Sequence, residues 1–328
     1  MPKAGMIAIV AFWTALASPV LALSQVPTPS PAESLHVMTF NIRMGVAPDG
    51  ENHWTKRREM LFSLLKDQDA DLVGLQEALQ FQVDEILAAV PQYAAIGVGR
   101  DDGRAAGECS CILFKRDRFH VSESGTFWFS DTPDTPGTKS WGNRFNRVAS
   151  WARFIDRDGS AFYIYNLHLD HEVQVSRERS TELLLARIQT RSYPTEPVIV
   201  TGDFNVGEGN PALHRLTGVP GLAGTLPAPF VDALRMVYPA EKIVGTFNGF
   251  KFGAIDGDKI DYVLVQPGTT VTEASIIRTS RDNRYPSDHF PVTARVSLPP
   301  PTAAAPPVTS VPSGATSPIA TTPAAPRQ

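Results

Sequence analysis

The sequence predicts an α/β fold in which two mixed sheets face one another and helices cover their outer faces. Short runs of β-branched and apolar residues recur along the chain, and three longer segments carry apolar residues at helical spacing. Short turns separate some neighbouring strands, whereas a predicted helix separates others. Hairpins therefore occur together with strand–helix–strand crossovers, and this combination is typical of mixed sheets that pack face to face.

The predicted elements follow from these patterns. The first helix, 54–66, places Trp54, Leu61 and Leu65 among basic residues, as expected for an amphipathic helix. The other two helices cover 81–90 and 174–190. The predicted strands cover 35–40, 72–75, 93–96, 111–114, 120–129, 148–155, 161–167, 198–201, 261–265, 270–277 and 291–296.

Residues 1–24 are predicted to be a signal peptide. They contain an early basic residue, Lys3, an apolar stretch over 6–17, and a small-residue cleavage site at 20–22, with 22–24 as a second option. The apolar stretch is shorter than the roughly 20 residues that a membrane span needs, and Pro19 follows it. We therefore expect a secreted protein, periplasmic or extracellular, with no transmembrane segment after removal of the signal.

Three further segments are predicted after the signal peptide. Residues 25–33 contain three prolines and are predicted to be a linker, and residues 34–298 are predicted to be one domain. Residues 299–328 consist almost entirely of Pro, Ala, Thr, Ser and Val, with too few large apolar side chains to offset the entropy of ordering. We expect this segment to be a disordered tail and the protein to be a monomer.

The overall charge gives no sign of a large basic surface. The chain has 30 Lys and Arg against 34 Asp and Glu, a net charge of -4 and a pI of about 6.0. Nucleic acid is therefore permitted as a substrate but is not implied. The two cysteines, Cys109 and Cys111, would project to the same side of a strand. Free thiols and a disulfide both fit this spacing, and neither cysteine is predicted to be catalytic.

Polar side chains stand at the ends of several predicted strands, where open α/β sheets usually carry their chemistry. Asp261 instead lies inside a β-branched run, where an unpaired carboxylate costs several kcal/mol in order of magnitude. A cation or a protonated histidine is therefore expected beside it. The strand-end groups are Asn41, Gln76 with Glu77, His168 with Asp170, Asp203 with Asn205, and Asp288 with His289.

This ordered set resembles the endonuclease/exonuclease/phosphatase superfamily over nearly all of 34–298. The resemblance implies a four-layer α/β/β/α sandwich with its active site at one edge, and a divalent-metal-dependent hydrolysis of phosphoesters. A phosphodiester substrate is slightly favoured, as in a nuclease or an enzyme for a lipid or sugar phosphodiester. A phosphomonoester of a sugar or inositol phosphate is the alternative, and a non-catalytic binding protein on the same fold is another.

The resemblance also implies a cation site for Mg²⁺ or Mn²⁺. Glu77 is the first choice as metal ligand, with Asn41 and Asp288 as further ligands, because hard oxygen ligands favour these ions. Two residues after Asn41, where some nucleases of the superfamily carry an acid that helps to hold metal, this chain has Arg43. The protein is therefore expected to use fewer metal ligands, or to use Arg43 to bind substrate phosphate.

Catalytic roles are implied for five residues. Asp203 would activate the attacking water, and Asn205 would hold the phosphate or that acid. His168 would donate to a non-bridging phosphoryl oxygen, and Asp261 would orient a positively charged His289.

Substrate contacts are expected from basic loops as well. Arg144 and Arg147 near Trp141, and Arg100 in the 97–107 segment, are candidates, although each also fits an ordinary surface loop.

A zinc hydrolase is the rival interpretation. Residues 166–171 come close to the His-x-His-x-Asp-His cluster of the metallo-β-lactamase fold, but Asn166 stands where that cluster has its first histidine. That interpretation leaves Glu77, Asn205 and Asp261 without a role, which disfavours it.

Overall fold

The computed structural model describes residues 34–218 and 229–301. The predicted signal peptide, the predicted linker and all but the first residues of the predicted tail lie outside these ranges, so their boundaries stay predictions. The strands are β1 (Leu35–Asn41), β2 (Leu72–Gln76), β3 (Tyr93–Ile96), β4 (Ile112–Lys115), β5 (Phe119–Trp128), β6 (Val148–Asp156), β7 (Ala161–His168), β8 (Val198–Asp203), β9 (Val231–Asp232), β10 (Asp261–Val265), β11 (Thr270–Ile276) and β12 (Val292–Ser297). The helices are α1 (Trp54–Gln68), α2 (Gln80–Ala89), α3 (Gln174–Gln189), α4 (Pro211–Thr217) and α5 (Ala233–Val237), with a 3-10 turn at Gly50–Asn52.

The strands form two six-stranded mixed sheets with the same internal plan. Their orders are β11-β12-β1-β2-β4-β3 and β5-β6-β7-β8-β10-β9. Each sheet contains one parallel pair, β1 with β2 and β7 with β8, and its other neighbours are antiparallel. α1 connects the first parallel pair and α3 connects the second, as crossovers between parallel strands require.

Three apolar clusters fill the spaces between the four layers. The central cluster joins the facing sides of the two sheets, for example Val37 and Leu72 from the first sheet with Ile164 and Ile199 from the second. A second cluster packs α1 and α2 on the outer face of the first sheet, and a third packs α3 and α4 on the outer face of the second. The predicted α/β fold, the four-layer α/β/β/α sandwich, is confirmed.

A polar contact links the sheets inside this apolar core. The buried Asn166 of β7 donates to the carbonyl oxygens of Leu75 and Cys111, at 2.8 and 2.9 Å, and accepts from Gln76 Nε2 at 2.7 Å and from Thr201 Oγ1 at 3.1 Å. Its side chain thus bonds across the core to the first sheet, so its hydrogen bonds do not serve a zinc cluster at 166–171.

The structure also settles several local expectations. Cys109 and Cys111 form a disulfide, which was one of the two states that the spacing allowed. β7 ends at His168 and β8 ends at Asp203, so each of these residues is the last of its strand and not part of a turn. The short elements α4, α5 and β9 were not predicted, because a few residues carry too little periodicity. Within 34–218 and 229–301, no helix is long and apolar enough to cross a membrane.

Candidate active site

The predicted site residues meet at one edge of the sandwich because strand register aligns their ends. Asn41 pairs with Gln76, which precedes Glu77, at the carboxyl ends of the parallel pair β1–β2. His168 pairs with Asp203 at the ends of β7 and β8. Asp203 also faces Asp261, the first residue of the antiparallel β10. A pocket of about 940 Å³ opens here, and Arg43, Glu77, Arg144, Arg147, His168, Asp203, Asn205, Asp288 and His289 contribute to its walls.

Asp261, His289 and Asp203 form a buried row. His289 Nδ1 lies 3.0 Å from Asp261 Oδ2, and His289 Nε2 lies 3.7 Å from Asp203 Oδ2. The predicted partner for the buried Asp261 carboxylate is therefore His289. The second oxygen of Asp261, Oδ1, is buried without a hydrogen-bond partner among the described residues, so the carboxylate keeps a free acceptor.

The surroundings of the row shift the pKa values of its members in opposite senses. Burial lowers the pKa of His289, but the charges of Asp261 and Asp203 outweigh it and raise that pKa well above 6.5. Burial, followed by the charge of Asp261, raises the pKa of Asp203 to about 7. A charged imidazole and a carboxyl group that titrates near neutral pH are thus neighbours, an arrangement that suits proton transfer.

Glu77 lies directly after β2 and is held at both carboxylate oxygens. Oε1 accepts from Asn41 Nδ2 at 3.1 Å, and Oε2 accepts from the Met44 amide at 3.1 Å. Burial raises the pKa of Glu77, but the charge of His289 and these hydrogen bonds lower it by more, so it lies below the ordinary value of 4.5. Glu77 is therefore a carboxylate at neutral pH.

Asn41 joins the two sheets at the site. Its Nδ2 donates to Asp203 Oδ2 at 2.9 Å as well as to Glu77, and its Oδ1 accepts from the Arg43 amide. In this orientation the nitrogen, which cannot coordinate a cation, faces both carboxylates. The role of Asn41 that the geometry displays is a hydrogen-bond bridge, and its role as metal ligand stays a prediction.

Arg43 lies among three acids. Its Nε and Nη2 donate to the two oxygens of Asp49 at 3.0 Å each, while Glu77 Oε2 and Asp288 Oδ2 lie 3.8 and 3.7 Å from its nitrogens. Burial and the charge of Glu77 raise the pKa of Asp288 above 3.8, although the charge of His289 opposes them. Asp49 belongs to this group but was not predicted, because an Asp-Gly pair ordinarily indicates only a turn.

His168 is buried beneath basic side chains. Its Nε2 lies 3.6 Å from Asp203 Oδ2, and its Nδ1 is buried without a hydrogen-bond partner among the described residues. Burial, together with the charges of Arg147 and Arg100, lowers its pKa well below 6.5. The ring is therefore neutral and keeps one N–H donor.

Arg147 and Arg144 occupy very different positions in the pocket wall. Arg147 is only 4% exposed; it contacts His171 Nδ1 at 2.7 Å and lies 3.8 Å from Asp170. Arg144 is 70% exposed at the rim and packs over the Phe145 ring. Arg144 therefore lies on a surface loop, one of the two predicted possibilities, whereas Arg147 is a buried part of the wall.

The backbone at three strand exits adopts the left-handed conformation. Arg43 has φ 57°, Glu77 has φ 58° and Asn205 has φ 52°. Such values are uncommon for residues other than glycine. In this conformation the Asn205 amide donates to Asp203 Oδ1 at 2.9 Å and its Nδ2 donates to the Leu169 carbonyl at 3.0 Å. The chain therefore leaves each of these strands through a residue in the left-handed region.

The outer pocket combines one predicted candidate, Arg100, with residues that were not predicted from the sequence. Arg100 and Glu108 form a bidentate ion pair at 2.6 and 2.9 Å. Phe145 stacks on His171, and Phe247, which is 50% exposed, packs edge-on against His289 at 5.1 Å between centroids. Glu108, Phe145 and Phe247 were not predicted, since loop residues show no periodicity that reveals a pocket.

The donor set fits a divalent cation. One candidate group within the described residues is Asp203, Asp261 and His289, whose ligand atoms lie within 4.8 Å of one another. Glu77 and Asp288, whose carboxylate oxygens lie 3.8 and 3.7 Å from nitrogens of Arg43, are a second, all-carboxylate set at the pocket wall. Hard oxygen donors of this kind suit Mg²⁺ or Mn²⁺. Two of the ligands predicted from the sequence, Glu77 and Asp288, belong to the second set, and their assignment to a cation stays a prediction.

Comparisons with known proteins agree with this geometry. The model of the Endonuclease/Exonuclease/phosphatase family matches residues 38–289. A structure of a family protein from Bacteroides vulgatus is 33% identical, with a TM-score of 0.72, and the match covers 81% of this chain and 100% of that one. A mannosyl-6-phosphatase from Bacteroides thetaiotaomicron is 32% identical, with a TM-score of 0.71, over 80% and 99%.

One curated relative matches in part. An uncharacterized protein of Acanthamoeba polyphaga mimivirus is 26% identical over 163 residues, which are 47% of this chain, and the match spans only 60% of that protein's length. The family match, by contrast, runs from β1 to His289 and includes every residue of the site described above. The chain therefore belongs to the endonuclease/exonuclease/phosphatase family and is a metal-dependent phosphoester hydrolase.

Proposed function

We propose that this protein hydrolyses the phosphate monoester of a sugar with the help of a bound Mg²⁺ or Mn²⁺. The observation that carries the proposal is the mixed character of the outer pocket wall, which contains Arg100, Asp101, Lys139, Asn146 and Glu108 beside the faces of Phe145 and Phe247. Sugar hydroxyls both donate and accept hydrogen bonds, and sugar rings pack on aromatic faces. A wall that contains donors, acceptors and aromatic rings suits such a ligand.

The same wall argues against an extended nucleic acid. Two of its arginines, Arg43 and Arg100, are already paired with Asp49 and Glu108 and are not free to bind further phosphates along a strand. The net charge of -4 offers no compensating field. The monoester alternative is therefore preferred over the phosphodiester that the sequence slightly favoured. The relative that is a mannosyl-6-phosphatase supports the same substrate class.

The proposed chemistry is attack of water on phosphorus. A cation bound by Glu77 and Asp288 would neutralise phosphoryl oxygens. Asp203 accepts a proton from the attacking water, and a pKa near 7 suits that task. The new P–O bond forms as the bond to the sugar oxygen breaks, and that oxygen takes up a proton from solvent.

Donors around the phosphoryl group would stabilise its negative charge in the transition state. His289, kept charged by Asp261, and neutral His168, through its remaining N–H, face the pocket with Asn205. One preorganised donor of this type contributes roughly 3 to 4 kcal/mol to transition-state stabilisation. Arg147, buried beside His168, adds a fixed positive charge to the same wall.

The test is a turnover assay on a substrate panel. Purified protein would be given hexose 6-phosphates, inositol phosphates, single-stranded DNA, RNA and a phospholipid, with Mg²⁺, with Mn²⁺ and with a chelator. We expect metal-dependent release of inorganic phosphate from sugar phosphates only. Glu77→Ala and His289→Ala should each lower kcat/KM roughly 100-fold or more. The exposed Glu59→Ala and His120→Ala should leave it unchanged.

The other outcomes discriminate between the alternatives. Cleavage of DNA, RNA or the phospholipid in preference to sugar phosphates would support the hypothesis of a phosphodiester substrate instead. Saturable binding of a sugar phosphate without turnover would favour the non-catalytic binding protein. Full activity in both site variants would overturn the assignment of the site itself.

We further propose that the protein acts outside the cytoplasm. The support is the signal-peptide pattern of residues 1–24 and the Cys109–Cys111 disulfide, since disulfides persist mainly in oxidising compartments. Mass spectrometry of the protein after export should find a mature chain that begins after Ala22 or Ser24. Recovery of the uncleaved chain from the cytoplasm would contradict the proposal.

A further inference from the structure

Arg43 brings a permanent positive charge to the acids of the proposed cation site. Its Nη1 lies 3.8 Å from Glu77 Oε2, and its Nε lies 3.7 Å from Asp288 Oδ2. These distances are too long for hydrogen bonds, so the guanidinium attracts both carboxylates without occupying their lone pairs. Each carboxylate retains acceptor sites for another cation.

Hydrogen bonds hold Arg43 at its side chain and at its backbone. Asp49 holds the guanidinium through two parallel hydrogen bonds of 3.0 Å. The Arg43 carbonyl accepts from Arg57 Nη2 at 2.8 Å and from Gln82 Nε2 at 3.1 Å. The side chain is 32% exposed, against 15% for Asp49, so its charge is partly shielded from solvent.

The net charge of Arg43 and its three acids indicates how many divalent cations they can neutralise. Asp49, Glu77 and Asp288 contribute three negative charges when ionised, and Arg43 contributes one positive, which leaves two negative. One divalent cation neutralises that excess. An acid at position 43 would instead leave four negative charges, which two divalent cations would neutralise.

We propose that Arg43 substitutes for a second metal ion, so that this protein binds a single divalent cation in its active site. Asp49 is the positioning residue that keeps the guanidinium in place. The inference rests on the proposed function only in taking Glu77 and Asp288 as ligands of that cation.

Manganese titration without substrate tests the proposal. Metal-free protein would be titrated with Mn²⁺, with free ion measured by electron paramagnetic resonance. We expect one tight Mn²⁺ per chain for the unchanged protein and for Arg43→Lys, and two for Arg43→Asp. Arg295→Ala, which removes an exposed arginine of β12, should bind one ion with unchanged affinity.

Two further variants separate the charge effect from misfolding. Arg43→Ala should bind its first Mn²⁺ on the order of tenfold more tightly, because a repelling charge about 4 Å from both carboxylates is gone. Asp49→Asn should bind one Mn²⁺ on the order of tenfold more weakly, since the released guanidinium competes for Glu77 and Asp288. Thermal unfolding would confirm that each variant is folded.

Three results would overturn the proposal: two tight Mn²⁺ ions on the unchanged protein, none on it, or a single ion on a folded Arg43→Asp variant. Substrate is absent throughout, so an inability to hydrolyse sugar phosphates would refute the proposed function and leave this stoichiometry standing.

Discussion

At the scale of single residues, the site depends on charges that are held in place by neighbouring groups. Asp261 is nearly inaccessible to solvent, and its contact with His289 both orients the ring and keeps it charged. A substitution that preserves the shape of Asp261 but removes its charge therefore tests the effect of that charge on the His289 ring separately from the ring's orientation.

Asp261→Asn should lower kcat roughly 100- to 10,000-fold with little change in KM, because the amide cannot stabilise a charged imidazole. Steady-state kinetics on the substrate found in the panel would measure both constants. Asp258→Asn, on the exposed segment just before β10, is the control. A kcat within threefold of that of the unchanged protein would show that the pair is structural.

Glu77→Gln should weaken Mn²⁺ binding on the order of 100-fold, since loss of even an outer partner of a metal ligand costs roughly 10- to 100-fold. The exchange keeps the size of the side chain but removes its charge. Calorimetric titration would measure the affinity, with exposed Glu59→Gln as the comparison. Unchanged affinity would move the cation to the group of Asp203, Asp261 and His289.

Several of these residues could be predicted because a polar or charged side chain stands in or beside an apolar run of the sequence. An acid inside a β-branched run, such as Asp261, needs a partner, and His289 is that partner. The outer pocket offered no such signal. Glu108 and Phe247 look like ordinary loop residues until tertiary structure brings them to the site, and nothing local distinguishes the buried Arg147 from the exposed Arg144.

At the scale of elements, β1 carries a buried histidine away from the site. His36 is 8% exposed, and its Nδ1 is buried without a hydrogen-bond partner among the described residues. Burial, followed by the charge of Arg295 on the neighbouring strand, lowers its pKa below 6.5, while the charge of Asp71 opposes this shift. Protonation of His36 is therefore easier in the unfolded chain than in the folded one.

The free energy of unfolding should consequently decrease as the pH falls from 6.5 towards the lowered pKa of His36, because the unfolded state then binds more protons. His36→Gln should remove this part of the decrease. Urea unfolding at pH 7.5 and pH 5.5 would measure it as the difference between the two proteins. Equal pH dependence in both would contradict the shift.

The long helices were predictable and the short ones were not. α1 was expected to end at 66 and ends at Gln68, and α3 was expected to end at 190 and ends at Gln189, because both carry sustained apolar patterns. α4 depends on two local features, an Asn210 cap that accepts from the Ala212 amide and Pro211 in its first turn. Those features also fit a simple turn.

At the scale of the whole molecule, Asn166 connects the two sheets behind the active site. It makes four hydrogen bonds in the core, to partners in both sheets. A Cβ at Gly74 would collide with Asn166 and Thr201, so the sheets approach closely at this point. The bridge therefore fixes the distance between the strand ends that carry Glu77 and Asp203.

Asn166→Ala should lower the free energy of unfolding by on the order of 3 kcal/mol, because it leaves buried donors and acceptors unpaired. Denaturant unfolding would measure the loss, with exposed Gln189→Ala as the control. A loss below about 1 kcal/mol would mean that water replaces the side chain.

The left-handed strand exits have a consequence for how this protein could be altered. Arg43 and Glu77 hold conformations that cost non-glycine residues roughly 1 to 3 kcal/mol each. Glycine at either position would relieve that cost, but it would also remove the guanidinium or the carboxylate that the site uses. Selection for heat resistance alone would thus tend to erode catalysis first, and a thermally robust variant that keeps its turnover must gain its stability elsewhere in the sandwich.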